Sequence, residues 1–306
     1  MKYFTLPHTD IRASQVVMGC MRLSQLSAQD AGTLIRGAME QGVNFFDHAD
    51  IYGGGESERR FAEAVDLPAI RDRIFLQSKC GIRNGYFDFS KEHIIASCEG
   101  SLRRLGTDYL DVYLLHRPDL LMEPDEVAEA FETLHRDGKV RYFGVSNHTP
   151  GEMTLLQRAM GERKLVANQI QLSITHCPIF DHSIASNMDI PQSIDRTGGL
   201  YEYARLHGVT LQAWSPFQKG FFNGPFLTDR EQYGKLNAEI DALAEQYGVA
   251  REAIAVAWLA RIPSGVQIVM GSTKAERYAA ACPGTEIELT RKEWYTLFAA
   301  AGKLIP

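Results

Sequence analysis

Eight apolar runs, alternating with segments of helical periodicity, predict a parallel (β/α)8 barrel of the TIM type, with all 306 residues in one domain. Strand followed by helix, repeated without an interdomain linker or low-complexity tract, is the first observation. The second is the number of strands, since eight is what closes this barrel. The third is length, because α/β barrels routinely exceed about 200 residues as one domain. A doubly wound open sheet is the alternative. With 45% hydrophobic and 23% charged residues the chain resembles an average globular protein, so it can bury a large core.

Residues 1–14 alternate weakly and turn at Pro7-His8-Thr9-Asp10, which predicts a short β-hairpin. Val16-Val17-Met18 is the first core strand, ending at Gly19-Cys20-Met21-Arg22. Ser27 reads as the N-cap of a helix over residues 27–41, with Leu34, Ile35, Ala38 and Met39 on one face and Gly42 as its stop. Val43, Phe45 and Phe46 form the second strand, which ends on Asp47; Tyr52 follows beside three glycines, then a helix over 58–65. The third strand, 74–79, ends on Lys79 and leads through a Gly/Asn/Phe-rich loop to a helix over 90–105. The fourth, 110–115, runs into His116 and a helix over 124–137 with Pro at its start.

Residues 142–145 and 166–170 are the fifth and sixth strands, with a helix over 150–159 between them. A helix over 199–207 leads to the seventh strand at 210–214. The eighth, 267–270, precedes a helix over 275–281, and an extra amphipathic helix over 291–300 closes the chain. Two long connections, 172–197 and 217–230, break the rhythm. They are expected to carry short helices or to cover substrate and cofactor.

The formal charge is −6 and no dense Lys/Arg run occurs, so nucleic acid is not an expected partner. No apolar run approaches the ~18 residues of a membrane span, and the polar N-terminus lacks a signal-peptide core. Cys20, Cys80, Cys98, Cys177 and Cys282 are scattered, odd in number and without a C-x-x-C pair. A disulfide framework or zinc site is therefore not expected, and a reducing, cytoplasmic location is. Cys80 reads as a small packed residue. No seam marks a partner surface, so a monomer is expected.

In parallel α/β proteins chemistry gathers where strands give way to loops. Consecutive strands here end on Asp47, Lys79 and His116, with Tyr52 just beyond the first. A phenol has an ordinary pKa of about 10. A neighbouring ammonium favours its phenolate, and a carboxylate keeps that ammonium charged and aimed. A histidine beside the phenol can hydrogen-bond a substrate oxygen. Together the four can give a proton to a carbonyl oxygen as hydride reaches its carbon. Each residue alone has an ordinary explanation as a cap, loop aromatic, solvated lysine or loop histidine; the conjunction carries the argument. A metal-dependent barrel hydrolase, with Asp47, His48, Asp50 and His116 as ligands, is a rival that leaves Tyr52 and Lys79 idle.

The set Asp47, Tyr52, Lys79 and His116 resembles the tetrad of the aldo-keto reductases. Gly138-Lys139-Val140-Arg141-Tyr142-Phe143-Gly144-Val145-Ser146-Asn147 looks like that family's fifth-strand signature, and the likeness spans essentially the whole chain. The wording around Asp47–Tyr52, Lys79-Cys80-Gly81 and His116-Arg117-Pro118-Asp119 is similar to bacterial oxidoreductases of the YdhF kind. The resemblance implies reduction of a small aldehyde or ketone by NADPH, through direct hydride transfer and without a metal. Tyr52 would be the general acid, Lys79 its tuner, Asp47 the lysine's partner, and His116 would orient the carbonyl.

No G-x-G-x-x-G opens a βαβ unit, and Gly53-Gly54-Gly55 reads as a turn, so a Rossmann-type cofactor site is not expected. The family instead lays an extended NADP(H) across the barrel mouth. On that pattern Ser146, Asn147 and Gln169 would hold the carboxamide, and Trp214 would stack on the nicotinamide. The loop of Ser215, Pro216, Phe217, Gln218 and Gly220 would wrap the pyrophosphate. Gly271, Ser272, Thr273, Lys274 and Arg277 would take the 2′-phosphate, which favours NADP over NAD. Gly19 and Met21 would add contacts at the first strand's turn.

Two features depart from the family pattern. Ala280-Ala281 stand where many members carry a Glu-Asn pair that touches adenine, and Gly19-Cys20 stands where many have Gly-Thr. Potassium-channel β subunits resemble the same barrel, so an NADP-binding sensor with little turnover is a second reading. Segments 21–26, 81–89, 117–122 and 172–197 are expected to wall the substrate pocket, with Phe87, Phe89, Ile179 and Phe180 as its apolar lining.

Overall fold

In the computed structural model, which describes residues 1–221 and 223–306, the chain opens with β1 (Tyr3–Thr5) paired antiparallel to β2 (Arg12–Ser14). Eight parallel strands follow: β3 (Val16–Gly19), β4 (Phe45–Asp47), β5 (Phe75–Cys80), β6 (Leu110–Leu115), β7 (Val140–Ser146), β8 (Leu165–Gln171), β9 (Thr210–Trp214) and β10 (Val266–Met270). They close in the order β10-β3-β4-β5-β6-β7-β8-β9. The barrel is thus the one expected, in sequential order, and all its strand C-terminal ends share one rim.

The helices are α1 (Ala28–Glu40), α2 (Glu56–Ala64), α3 (Leu67–Ile70), α4 (Lys91–Leu105), α5 (Pro124–Arg136), α6 (Pro150–Met160), α7 (Pro178–Ile184), α8 (Leu200–His207), α9 (Gly234–Tyr247), α10 (Arg251–Ala260), α11 (Ala275–Ala281) and α12 (Arg291–Ala300). Ser27 caps α1 by accepting from the Asp30 amide, and Ser90 caps α4 from the His93 amide. Reciprocal Thr/Glu boxes start α6 and α12. The two long connections carry α7 and short 3-10 turns at Pro191–Ser193 and Phe226–Thr228. The pair α9 and α10 was not foreseen. Among the described residues no helix is long and apolar enough to cross a membrane.

Two apolar layers follow from the strand alternation. Outward-facing strand residues pack against the helices in the larger core. Inside the barrel, Val17, Phe45, Val112, Leu114, Val166 and Val269 pack with Leu6, Ile11 and Ala13 of the hairpin, which plugs the N-terminal end. The C-terminal strand ends form the mouth at the other end.

Ile179 and Phe180, expected to line the pocket, belong to the outer core, where Phe180 meets Tyr201, Trp258 and Trp294 edge-on. The last two indoles stack at 4.6 Å, and each donates to the other's backbone carbonyl. Phe89 is also buried, against His148, leaving Phe87 as the exposed member of the expected lining.

Candidate active site

Asp47 ends β4, Lys79 lies in β5, and His116 directly follows β6, so adjacent parallel strands bring the three to one sector of the mouth. Gly53, Gly54 and Gly55 all adopt left-handed backbone, with φ of 59°, 66° and 92°. Only glycine takes three such residues in succession without strain, and the turn holds Tyr52 over the strand ends. Lys79 Nζ donates to Tyr52 Oη at 3.1 Å and to the His48 carbonyl at 2.7 Å, and pairs with Asp47 Oδ1 at 2.7 Å. Lys79 is 0% and Asp47 2% exposed, so little water screens the pair. The His116 ring stands edge-on to Tyr52, at 83° and 5.7 Å between centroids. All four sequence-predicted residues therefore meet.

Their electrostatics follow from burial and from one another. Burial opposes the Lys79 charge, but Asp47 and Tyr52 outweigh it and raise its pKa. Burial also raises the Tyr52 pKa; Lys79 pulls it down, while the Asp47 charge pushes it further up. The net direction is opposite to the one expected from lysine alone, because burial and the carboxylate were not in that account. The phenol is therefore protonated at neutral pH. Burial, Lys79 and Arg117 push His116 well below the ordinary imidazole value, and its buried Nδ1 has no protein partner. Burial likewise pushes the Cys80 thiol far up, consistent with a packed, inert residue.

Beneath these groups lies a polar layer that was not foreseen. Register aligns Asp47 with Gln77, and Gln169 with Gln212 and Gln267 on the opposite arc. Gln77 Nε2 donates to Asp47 Oδ1 at 2.6 Å and, across the barrel, to Gln212 Oε1 at 2.9 Å. Gln169 Nε2 donates to the same two acceptors at 3.0 and 3.1 Å. Gln212 Nε2 reaches Gln77 Oε1 at 3.0 Å and Gln267 Oε1 at 2.8 Å. The signal was present in Leu76-Gln77-Ser78, Leu211-Gln212-Ala213 and Val266-Gln267-Ile268: an amide within a buried strand needs partners, and here other strands supply them.

Comparison with known proteins agrees with this architecture. Residues 15–301 match the model of the Aldo/keto reductase family. The chain belongs to the aldo/keto reductase family. Oxidoreductase YdhF of Escherichia coli (strain K12) is 37% identical over 300 residues, covering 94% of this chain and 93% of its own. The oxidoreductase YcsN of Bacillus subtilis (strain 168) is 36% identical over 305 residues, 95% of each chain. A 6-dehydroglucose reductase of Agrobacterium fabrum (strain C58) is 32% identical over 306 residues, again 95% of each. A solved structure of the thermostable aldo-keto reductase Tm1743 shares the fold at TM-score 0.76 and 24% identity, covering 98% of this chain and 100% of that one.

In this aldo/keto reductase the residues expected to hold cofactor occupy the arc complementary to the tetrad. Ser146 ends β7, Gln169 lies in β8, Trp214 ends β9, Gly271 follows β10, and Gly19 ends β3. Ser146 Oγ donates to the Gln169 carbonyl at 2.9 Å, Asn147 Nδ2 to Ser146 Oγ at 2.8 Å, and Trp214 Nε1 to Asn147 Oδ1 at 3.1 Å. Asn147 and Ser215, each directly after a strand, hold φ of 60° and 54°, a strained choice for non-glycine residues.

Arg22 donates to the Gly271 carbonyl at 3.0 Å, tying the loops after β3 and β10, while Met21 is exposed. Pro216, Phe217, Gln218 and Gly220 form the loop after β9, where the Gln218 amide turns back to the Ser215 carbonyl. Ser272 Oγ accepts from the Lys274 amide at 3.1 Å, next to Thr273, and Arg277 is exposed on α11. Ala281 is buried in the outer core, while Ala280 beside it is half-buried.

Proposed function

We propose that the protein reduces an aldehyde or ketone to the alcohol with NADPH, Tyr52 giving its proton to the carbonyl oxygen. The observation that carries this reading is the position of Lys79 Nζ, between Asp47 Oδ1 at 2.7 Å and Tyr52 Oη at 3.1 Å. A phenol that stays protonated at neutral pH is the acid form the step needs. As its proton leaves, the ammonium beside it stabilises the growing phenolate. Neutral His116, edge-on to Tyr52 and with an unpartnered ring nitrogen, is suited to orient the carbonyl oxygen. The name of the Agrobacterium relative, a reductase of 6-dehydroglucose, supports carbonyl reduction as the class of chemistry.

The residues of the complementary arc fit a nicotinamide dinucleotide. When bound, it supplies the hydride. Trp214 offers a flat face fixed by its bond to Asn147. Ser146 and Asn147 suit the carboxamide. Both Gln169 amide protons are taken by Asp47 and Gln212, so Gln169 would serve there as an acceptor through Oε1. Ser215, Pro216, Phe217, Gln218 and Gly220 suit the pyrophosphate, with Gly19 and Met21 at the rim. Ser272, Thr273, Lys274 and exposed Arg277, next to Gly271, suit a 2′-phosphate. Lys219 is committed elsewhere, to Asp229 at 2.6 Å.

Titration of the protein with NADPH and NADH, read by tryptophan fluorescence, tests the cofactor. NADPH should bind about 10-fold or more tighter than NADH, and Arg277→Ala should erase most of that difference. Tyr52→Phe should keep NADPH binding and lose about 10²–10⁴-fold in kcat on a panel of aldehydes. Tight NADPH binding without turnover of any carbonyl by the unaltered protein would overturn the enzymatic reading.

A further inference from the structure

Arg117 follows His116 at the mouth and is half-buried, yet among the described residues it makes no hydrogen bond or ion pair with protein. Other arginines withdrawn from solvent are all bonded: Arg71 and Arg141 to Asp111, Arg104 to Glu58, Arg251 to Asp241, Arg22 and Arg261 to backbone carbonyls. The arginines without such bonds lie exposed, where water serves them. Among the described residues, Arg117 alone combines partial burial with no hydrogen-bond or ion-pair partner, its guanidinium lying instead over the Trp214 ring.

Its surroundings do not supply a counter-charge. The guanidinium lies 5.9 Å from the centre of the Trp214 ring. Asp119, two residues on, is occupied: its two oxygens accept from the Phe89 and Leu121 amides, each at 2.9 Å. Asp47 is held by Lys79, Gln77 and Gln169. Burial lowers the Arg117 pKa, the Tyr52 phenol acts against that, and the Arg117 charge in turn helps keep His116 neutral. The cation is thus electrostatically in touch with both groups that would face a carbonyl. Holding a guanidinium partly out of water without an anion is unfavourable, and a ligand that brings the anion removes the penalty.

We propose that Arg117 binds a carboxylate carried by the carbonyl substrate, so that the substrate class is an oxo acid or aldehydo acid. This rests on the carbonyl chemistry proposed above. A carboxylate is preferred to a phosphate because its single charge matches the single unpaired cation, whereas a phosphate dianion would leave charge uncompensated. The planar fork of arginine meets both carboxylate oxygens at once.

Matched substrates test the assignment: 4-carboxybenzaldehyde against 4-methylbenzaldehyde, and succinic semialdehyde against butanal, with saturating NADPH. The unaltered protein should show kcat/KM about 10- to 100-fold higher for each carboxylated member, mostly through KM. Arg117→Met should bring each ratio to about 1, while Arg117→Lys should retain part of it, as a point charge would. Calorimetric binding of terephthalate, which cannot be reduced, should weaken about 10-fold or more in Arg117→Met.

Terephthalate binding that depends on Arg117, with no aldehyde turned over, would support the carboxylate site and overturn the reductase reading instead. Equal kcat/KM within each pair, or a preference that survives Arg117→Met, would overturn the site. So would a variant that weakens NADPH rather than the carboxylate, which would assign Arg117 to the cofactor. Preference for glycolaldehyde phosphate over succinic semialdehyde, lost in Arg117→Met, would overturn the choice of carboxylate.

Discussion

Asp47 Oδ1 receives three nitrogens, from Lys79 and Gln77 of β5 and Gln169 of β8, so its position is set from two other strands at once. The shortest of these bonds comes from Gln77, whose other acceptor is Gln212 across the barrel. Gln77→Met keeps the volume and deletes the amide. The carboxylate loses a charge-assisted bond, and stability should fall by about 1–3 kcal/mol in urea unfolding. If the layer serves to aim Lys79 at Tyr52, kcat should also fall about 10-fold with KM little changed, since the contact lies on no substrate. A loss of stability with unaltered kcat would make the layer scaffolding alone. The tetrad was legible in the sequence because Asp47, Lys79 and His116 end apolar runs and Tyr52 follows the first of them beside three glycines. The glutamines were not, because pairing across a barrel leaves no mark in sequence separation. Arg117 was quoted in the chain's wording but not singled out, since only three-dimensional burial separates it from a solvated arginine.

At the level of elements, β7 presses closest against its neighbours at Gly144, where an added Cβ would stand 2.6 Å from the Ala167 carbonyl oxygen and 2.7 Å from Leu114 Cδ2. The β7–β8 register shifts between Phe143 and Val145, at this same glycine. The crowding atom is backbone, so it cannot swing aside. Gly144→Ala should destabilise by about 2 kcal/mol and displace Ser146 and Asn147 at the strand end. NADPH binding should weaken with it, more than in a control such as Gly138→Ala, whose Cβ meets open space; left-handed φ at Gly138 makes that control destabilising in its own right. Weakened stability with intact nucleotide affinity would dissociate the strand end from the cofactor.

Most helices could be read because burial on one face leaves a period, and the strands because burial on both faces leaves short apolar runs. Helix α10 could not, because Ala253 through Leu259 are all buried and no polar face remains to show a turn. Its neighbour α9 does carry a helical spacing, in Leu236, Ile240, Leu243 and Ala244, directly after the long 217–230 connection.

Across the whole molecule, two buried titratable groups next to the tetrad pull stability in opposite directions with pH. His48 is fully buried against Phe61, neither ring nitrogen has a partner, and burial together with Lys79 lowers its pKa to about 3. The unfolded chain therefore binds the extra proton first, and stability is lost as pH falls from about 6.5 toward 3. Burial and Glu58 raise Asp50 to about 7, against the weaker pull of Arg104 and hydrogen bonds from Ser97 and Ile51. Here the folded chain holds the proton longer, so stability is lost as pH rises from about 4 to 7. Between those limits the two trends oppose each other and flatten the profile.

Replacing either group should expose the other. Asp50→Asn should gain about 2 kcal/mol over the unaltered protein above pH 7 and show a steeper rise from pH 4 to 6.5. His48→Leu should remove an acid-side loss of about 3 kcal/mol, leaving a profile that declines toward neutrality. Urea unfolding at several pH values reads both. Taking each variant as a difference from the unaltered chain cancels the contributions of His116 and His148, which burial also lowers. Opposite slopes in the two differences would place both groups in a shared balance around the strand-two loop. Parallel slopes would mean that acid sensitivity arises elsewhere, and that the loop carrying Tyr52 is indifferent to the protons buried beneath it.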